Sequence, residues 1–116
     1  MGNSVVHFEI GCRDSEKTAA FYGALFDWTI ETHGAARMIN TGVSAGIQGH
    51  ITELGHEPLN YTLVYVHVDD LDACLARAVE LGGAVMIGPT GAPGMGHFAW
   101  IKDPEGTLVG LWKPAM

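Results

Sequence analysis

The chain has 116 residues, with 13 Asp and Glu against 6 Lys and Arg and a net charge of −7. Apolar residues make up 47% and charged residues 16%, which suits one domain over 1–116 with its own core and excludes a disordered chain. The acidity excludes the basic footprint of a nucleic-acid binder, and no apolar run reaches the roughly 20 residues of a membrane helix. Neither nucleic acid nor membrane is therefore expected as a partner. Two cysteines, Cys12 and Cys74, are too few for a disulfide framework. The opening Met1-Gly2-Asn3-Ser4 has no basic stretch followed by a long apolar one, so a cytoplasmic protein is expected.

Val5 to Ile10 reads as a strand, with Val6, Phe8 and Ile10 on one face and Val5, His7 and Glu9 on the other. Asp14 or Ser15 caps a helix that Glu16 suits at its positive end. Ala20, Phe21, Ala24, Leu25 and Trp28 form its apolar stripe. A strand from Trp28 to Glu31 is broken at His33-Gly34. Arg37 to Asn40 and Val43 to Ile51 read as strands around Thr41-Gly42, and Val43, Ala45 and Ile47 are assigned to the core face. Thr52 to Asn60, with Gly55 and Pro58, is a linker.

The pattern then restarts. Tyr61 to Val68 is a strand, with Thr62, Val64, Val66 and Val68 facing a helix and Tyr61, Leu63, Tyr65 and His67 facing away. Asp69 or Asp70 caps that helix. Leu71, Cys74, Leu75, Ala78 and Val79 form its stripe, and Gly82-Gly83 stops it. Ala84 to Ile87 is a strand and Gly88 to Gly96 a loop, read either as a hinge over a ligand or as a surface crossing. His97 to Lys102 and Thr107 to Trp112 are strands joined by a type I turn, Asp103-Pro104-Glu105-Gly106. Pairing Asp103 with Gly106 places Phe98, Trp100, Val109 and Leu111 on one face.

The chain is thus a tandem repeat, with modules of about 1–52 and 60–116. His7 aligns with His67, Asp14 with Asp69 and Gly46 with Gly110. The predicted fold is α+β: two tandem βαβββ modules forming a curved, partly open eight-stranded sheet around a cleft, with the helices on the outer face. The face away from the helices carries His7, Glu9, Ser44, Gln48, His50, Tyr61, Tyr65, His67, His97 and Trp112. It is too polar for a core and too aromatic for an ordinary solvated surface, as a small-molecule site would be.

Val6-His7-Phe8-Glu9-Ile10, the run Phe21 to Trp28, Tyr65 to Asp70 and Leu81-Gly82-Gly83 carry a resemblance. So do Pro93 to Phe98, Asp103 to Gly106 and Gly110-Leu111-Trp112. In this order, over nearly the whole chain, they resemble the vicinal-oxygen-chelate superfamily, also called glyoxalase, bleomycin-resistance and extradiol-dioxygenase-like proteins. The resemblance implies a paired βαβββ fold, usually dimeric, so a homodimer is expected. It also implies a divalent metal, or simply a small molecule, in the cleft.

In metal-binding relatives the ligands come from the first and last strand of each module. His7 and His67 match the first-strand positions, but Gly46 and Gly110 stand where carboxylates are usual. Two imidazoles are fewer than the three protein ligands of a typical catalytic metal site. The expectation is therefore a protein that binds a small molecule without a complete metal site and with no cofactor. His7, Gln48, His50, Tyr65, His67, His97 and Trp112 are its ligand-binding residues. Glu9 is the candidate catalytic residue, read either as a general base or as a carboxylate paired with a nearby His or Tyr hydroxyl. The alternative is an enzyme, a lactoylglutathione-lyase-like lyase or a dioxygenase, holding a divalent metal at His7 and His67 as a Lewis acid.

Overall fold

The computed structural model describes residues 2–34, 36–53 and 59–115. Most of the Thr52–Asn60 linker, with Gly55 and Pro58, lies outside the described residues. The elements are β1 (Val5–Gly11), α1 (Ser15–Phe26), β2 (Thr29–His33), β3 (Ala36–Asn40), β4 (Gln48–Thr52) and β5 (Tyr61–His67). They continue with α2 (Leu71–Glu80), β6 (Ala84–Ala92), β7 (Gly96–Lys102) and β8 (Leu108–Pro114). The strands form a mixed sheet in the order β2-β3-β4-β1-β5-β8-β7-β6, with β2 and β6 at its ends. The α+β class with two helices and eight strands is as the sequence predicts. Two compact units divide the chain. One is His7–Leu63; the other joins Met1–Val6 to Val64–Met116. Both β1 and β5 therefore contribute to both units.

In the His7–Leu63 unit, β1 and β4 pair in parallel, while β4–β3 and β3–β2 pair antiparallel. Asp14 caps α1 by accepting from Lys17 N at 3.1 Å, and Asp27 ends it in the left-handed conformation. The core holds Ile10, Cys12, Ile39 and Ile51, with Phe8, Ala19, Tyr22, Trp28 and Ile30 packed on it. This corrects the predicted helix stripe. Ala19 and Tyr22 face inward, whereas Phe21 is 59% and Leu25 58% exposed. Both flanks of α1 are apolar, so periodicity alone did not choose between them.

The predicted strand from Val43 is also corrected, since β4 begins at Gln48. Gly42 and Gly46 adopt positive φ, 77° and 87°, a region foreign to a strand. The Gln48 amide ties the intervening loop down. It accepts from Thr41 N at 2.6 Å and donates to Thr41 Oγ1 at 3.1 Å and to Val43 O at 3.3 Å.

In the other unit β5 pairs in parallel with β8, and β8–β7 and β7–β6 pair antiparallel. Asp70 caps α2, accepting from Ala73 N at 3.0 Å. Gly82, at φ 99°, takes the chain out of the helix. Val68, Leu71, Leu75, Ala99 and Leu111 form the core with Val66, Cys74 and Ile101. Of the predicted β5 stripe, Thr62 and Val64 are exposed; Val66 and Val68 reach this core.

The β7–β8 register also departs from expectation. Asp103 N donates to Thr107 O, and Lys102 stands opposite Leu108. Gly106 N donates to Asp103 O, and Gly106 itself sits at φ 92°. A type I turn followed by a left-handed residue inserts one residue more than a plain turn, and this reverses the facing of one strand against the other. Trp100 therefore lies opposite Gly110, and Ala99 opposite Leu111. Phe98 and Trp100 turn away from the helix rather than toward it. Finally, β6 runs on through Gly88 and Pro89 to Ala92, where a loop was predicted. Its pairing with β7 shifts register between Val85 and Ile87 and again between Ile87 and Thr90. A proline in this strand is tolerated because β6 has a neighbour on one side alone in the strand order.

Candidate functional site

The pairing of β1 with β4 sets His7 against Gln48 and Glu9 against His50. Strand alternation puts these side chains on the face away from Ile10 and Ile51. Glu9 is 1% exposed. A buried carboxylate needs charge-assisted partners, and two of them are on its own unit. His50 Nε2 lies 3.0 Å from Glu9 Oε1, and the Tyr61 hydroxyl donates to Glu9 Oε2. Gly11 makes the second contact possible. A Cβ there would stand 1.9 Å from the Tyr61 ring, so the ring can lie over β1 only where there is no side chain. His7 Nε2 completes the chain at 2.7 Å from His50 Nδ1.

The carboxylate fixes the direction of this chain. Ionised, it only accepts, so His50 donates through Nε2–H and its Nδ1 becomes an acceptor. His7 then donates through Nε2–H and carries its lone pair on Nδ1. Burial, then the neighbouring His50, pushes the His7 pKa down to about 4, partly opposed by Glu9. His7 is thus a neutral, half-buried acceptor at physiological pH.

Of the residues singled out in the sequence, His7, Glu9 and His50 come together in this network. The His50 imidazole and the Tyr61 phenol are among the partners of Glu9. Gln48 neighbours His7 in register but spends its amide on the 41–47 loop. Tyr65, His67, His97 and Trp112 belong to the other unit. Tyr65 is 4% exposed, and its hydroxyl accepts from the fully buried Trp100 Nε1 at 2.9 Å. His67 stands beside Trp112 in register. His97 is exposed, paired with Lys113, and alternation turns it away from the face of Phe98 and Trp112. Tyr61 is the network member that sequence reasoning placed on the right face without assigning it a role. The sequence reading of Glu9 as paired with a Tyr hydroxyl leaves open which tyrosine supplies it, and the structure identifies Tyr61.

A divalent metal, as the resemblance implies, fits these residues poorly. Among the described residues no group of three His, Cys, Asp or Glu side chains is arranged to hold an ion. The two His50 nitrogens point to different partners, so Glu9, His50 and His7 form a line rather than a shell. Gly110, aligned with a carboxylate position, is covered by the Tyr65 ring, which a Cβ would approach to 2.4 Å. Gly46 lies in the loop before β4 rather than in a strand.

Residues 6–111 match the family described as a glyoxalase-like domain. The chain belongs to the glyoxalase-like domain family. It is similar to the putative glyoxylase CFP32 of Mycobacterium tuberculosis, 43% identical over 56 residues, which are 48% of this chain and 22% of that protein. It is also similar to the anthracycline biosynthesis protein DnrV of Streptomyces peucetius, 28% identical over 124 residues, covering 91% of this chain and 45% of that protein. The chain thus spans less than half the length of these curated relatives. Methylmalonyl-CoA epimerase from Mycobacterium tuberculosis shares the fold at TM-score 0.65 and 18% identity, over 97% of this chain and 88% of that one. An NAD-dependent benzaldehyde dehydrogenase structure from Legionella pneumophila does so at TM-score 0.69 and 15% identity, over 94% and 98%. Two such differently named proteins on one fold show why the glyoxalase-like architecture does not by itself name a reaction.

Proposed function

We propose that this glyoxalase-like chain binds a small, oxygen-rich molecule on the face carrying His7, Glu9, His50 and Tyr61, without a complete metal site. One observation carries the reading: the hydrogen-bonded line from Tyr61 through the buried Glu9 carboxylate and His50 to His7. It presets His7 as an acceptor for a ligand hydroxyl or N–H, because the tautomers of both imidazoles are fixed before the ligand arrives. The names of the curated relatives, a glyoxylase and a protein of anthracycline biosynthesis, are in keeping with such a ligand.

The test is nitrogen NMR of histidine-labelled protein titrated with hydroxylated quinones. Binding is expected to move the His7 Nδ1 resonance, and His7→Ala to abolish the response. Addition of nickel, zinc, iron or manganese is expected to leave the melting temperature unchanged. Stoichiometric metal that is lost on His67→Ala would replace this reading with the metal-dependent lyase or dioxygenase. The same proposal has the chain working as a homodimer, since β2 and β6 end the strand order with edges that pairing would cover. A monomeric mass by light scattering would overturn that part.

A further inference from the structure

Beside Ile10, Gly11, Cys12 and the Tyr61 ring, the His7–Leu63 unit carries a groove of about 540 Å³. From α1 it is lined by Lys17, Thr18, Phe21 and Tyr22, and from the start of β5 by Asn60 and Thr62. The helical spacing of the four α1 residues makes them one flank of the helix. Of these four, Tyr22 is also packed on the core, together with Ala19 from the adjoining flank, while Lys17, Thr18 and Phe21 are left outside it. Phe21 consequently stands 59% exposed at the groove, edge-on to Tyr22 with ring centroids 5.1 Å apart. Among the described residues no carboxylate lies within ion-pair distance of Lys17. The nearby Asp14 is engaged in capping the helix. An ammonium with no carboxylate in reach among the described residues, an amide, the exposed Phe21 ring and the half-buried Tyr22 ring thus meet in a volume of small-molecule size.

We propose that this groove is a second binding site, for a small aromatic carboxylate. The anionic end pairs with the Lys17 ammonium and the Asn60 amide, and the ring lies against Phe21 and Tyr22. The probe is 2-naphthoate, titrated into nitrogen-labelled protein and followed by backbone amide shifts. Saturable shifts are expected at residues 10–12, 17–22 and 60–62. Lys17→Gln and Phe21→Ala, both at exposed positions that leave the core intact, are each expected to weaken binding by about fivefold or more. The uncharged 2-naphthalenemethanol is expected to bind more weakly by a similar factor. Shifts that fail to saturate or that centre elsewhere would overturn the proposal. So would a variant that stays within about twofold of the parent, or an alcohol that binds as tightly as the acid.

Discussion

Gly11 shows how one missing side chain decides the chemistry of the site. With a methyl group there, the Tyr61 ring has no room over β1. Gly11→Ala is therefore expected to displace the ring, strip Glu9 of its phenolic partner and destabilise the fold by about 1–3 kcal/mol, the range for overpacking. Tyr61→Phe keeps the ring and removes only the hydroxyl. Leaving a buried carboxylate short of one donor is expected to cost about 1–3 kcal/mol as well. Urea denaturation of the two variants checks both. A Tyr61→Phe protein as stable as the parent would show that the hydroxyl contributes nothing to holding Glu9. The parity of His7 and Glu9 was legible from alternation in β1. The glycine opposite Tyr61 was not, because the closeness of that approach depends on how two distant stretches of chain are placed.

At the level of elements, rings covering glycines recur: Tyr61 over Gly11, Phe8 over Gly49 and Tyr65 over Gly110, each so close that a Cβ would clash. An aromatic ring restores to a strand glycine the burial it lacks. This is also why the sequence reading of Gly110 as a vacated carboxylate position is incomplete: the Tyr65 ring takes that space. Caps, helix stops and most strand cores were legible, since Asp14, Asp70 and Gly82 act through local chemistry. The β7–β8 register was not, because the left-handed residue Gly106 adds one position that hydropathy does not register. Asp103 organises that turn by accepting from Glu105 N at 2.9 Å and from Thr107 N at 3.0 Å. Asp103→Ala is expected to cost about 0.5–2 kcal/mol, comparable with loss of a helix cap. Gly106→Val is expected to cost about 1–2 kcal/mol through left-handed strain. Thermal unfolding measures both. An unchanged melting temperature in Gly106→Val would show that the turn relaxes out of the left-handed conformation.

For the molecule as a whole, the network ties stability to pH. In the unfolded chain His7 titrates at its ordinary value near 6.5, and in the folded chain only near pH 4. Between these values the unfolded state holds a proton at His7 that the folded state does not, so the free energy of unfolding falls as the solution is acidified. Above pH 6.5 both states are neutral at this position and the contribution is fully present. His7 is only partly buried, and solvent screening keeps the expected slope below the limit of about 1.4 kcal/mol per pH unit for one proton. His50 and Glu9 face His7 and remain in place in a His7→Gln variant. The comparison of parent with variant therefore isolates the one imidazole better than the parent's acid denaturation does alone. Urea midpoints measured from pH 8 to pH 4.5 should show the parent losing stability more steeply than His7→Gln below pH 6.5, with parallel curves above it. Parallel curves throughout would mean that His7 protonates as readily in the folded chain as in the unfolded one. Burial beside His50 would then not be holding it neutral against the pull of Glu9.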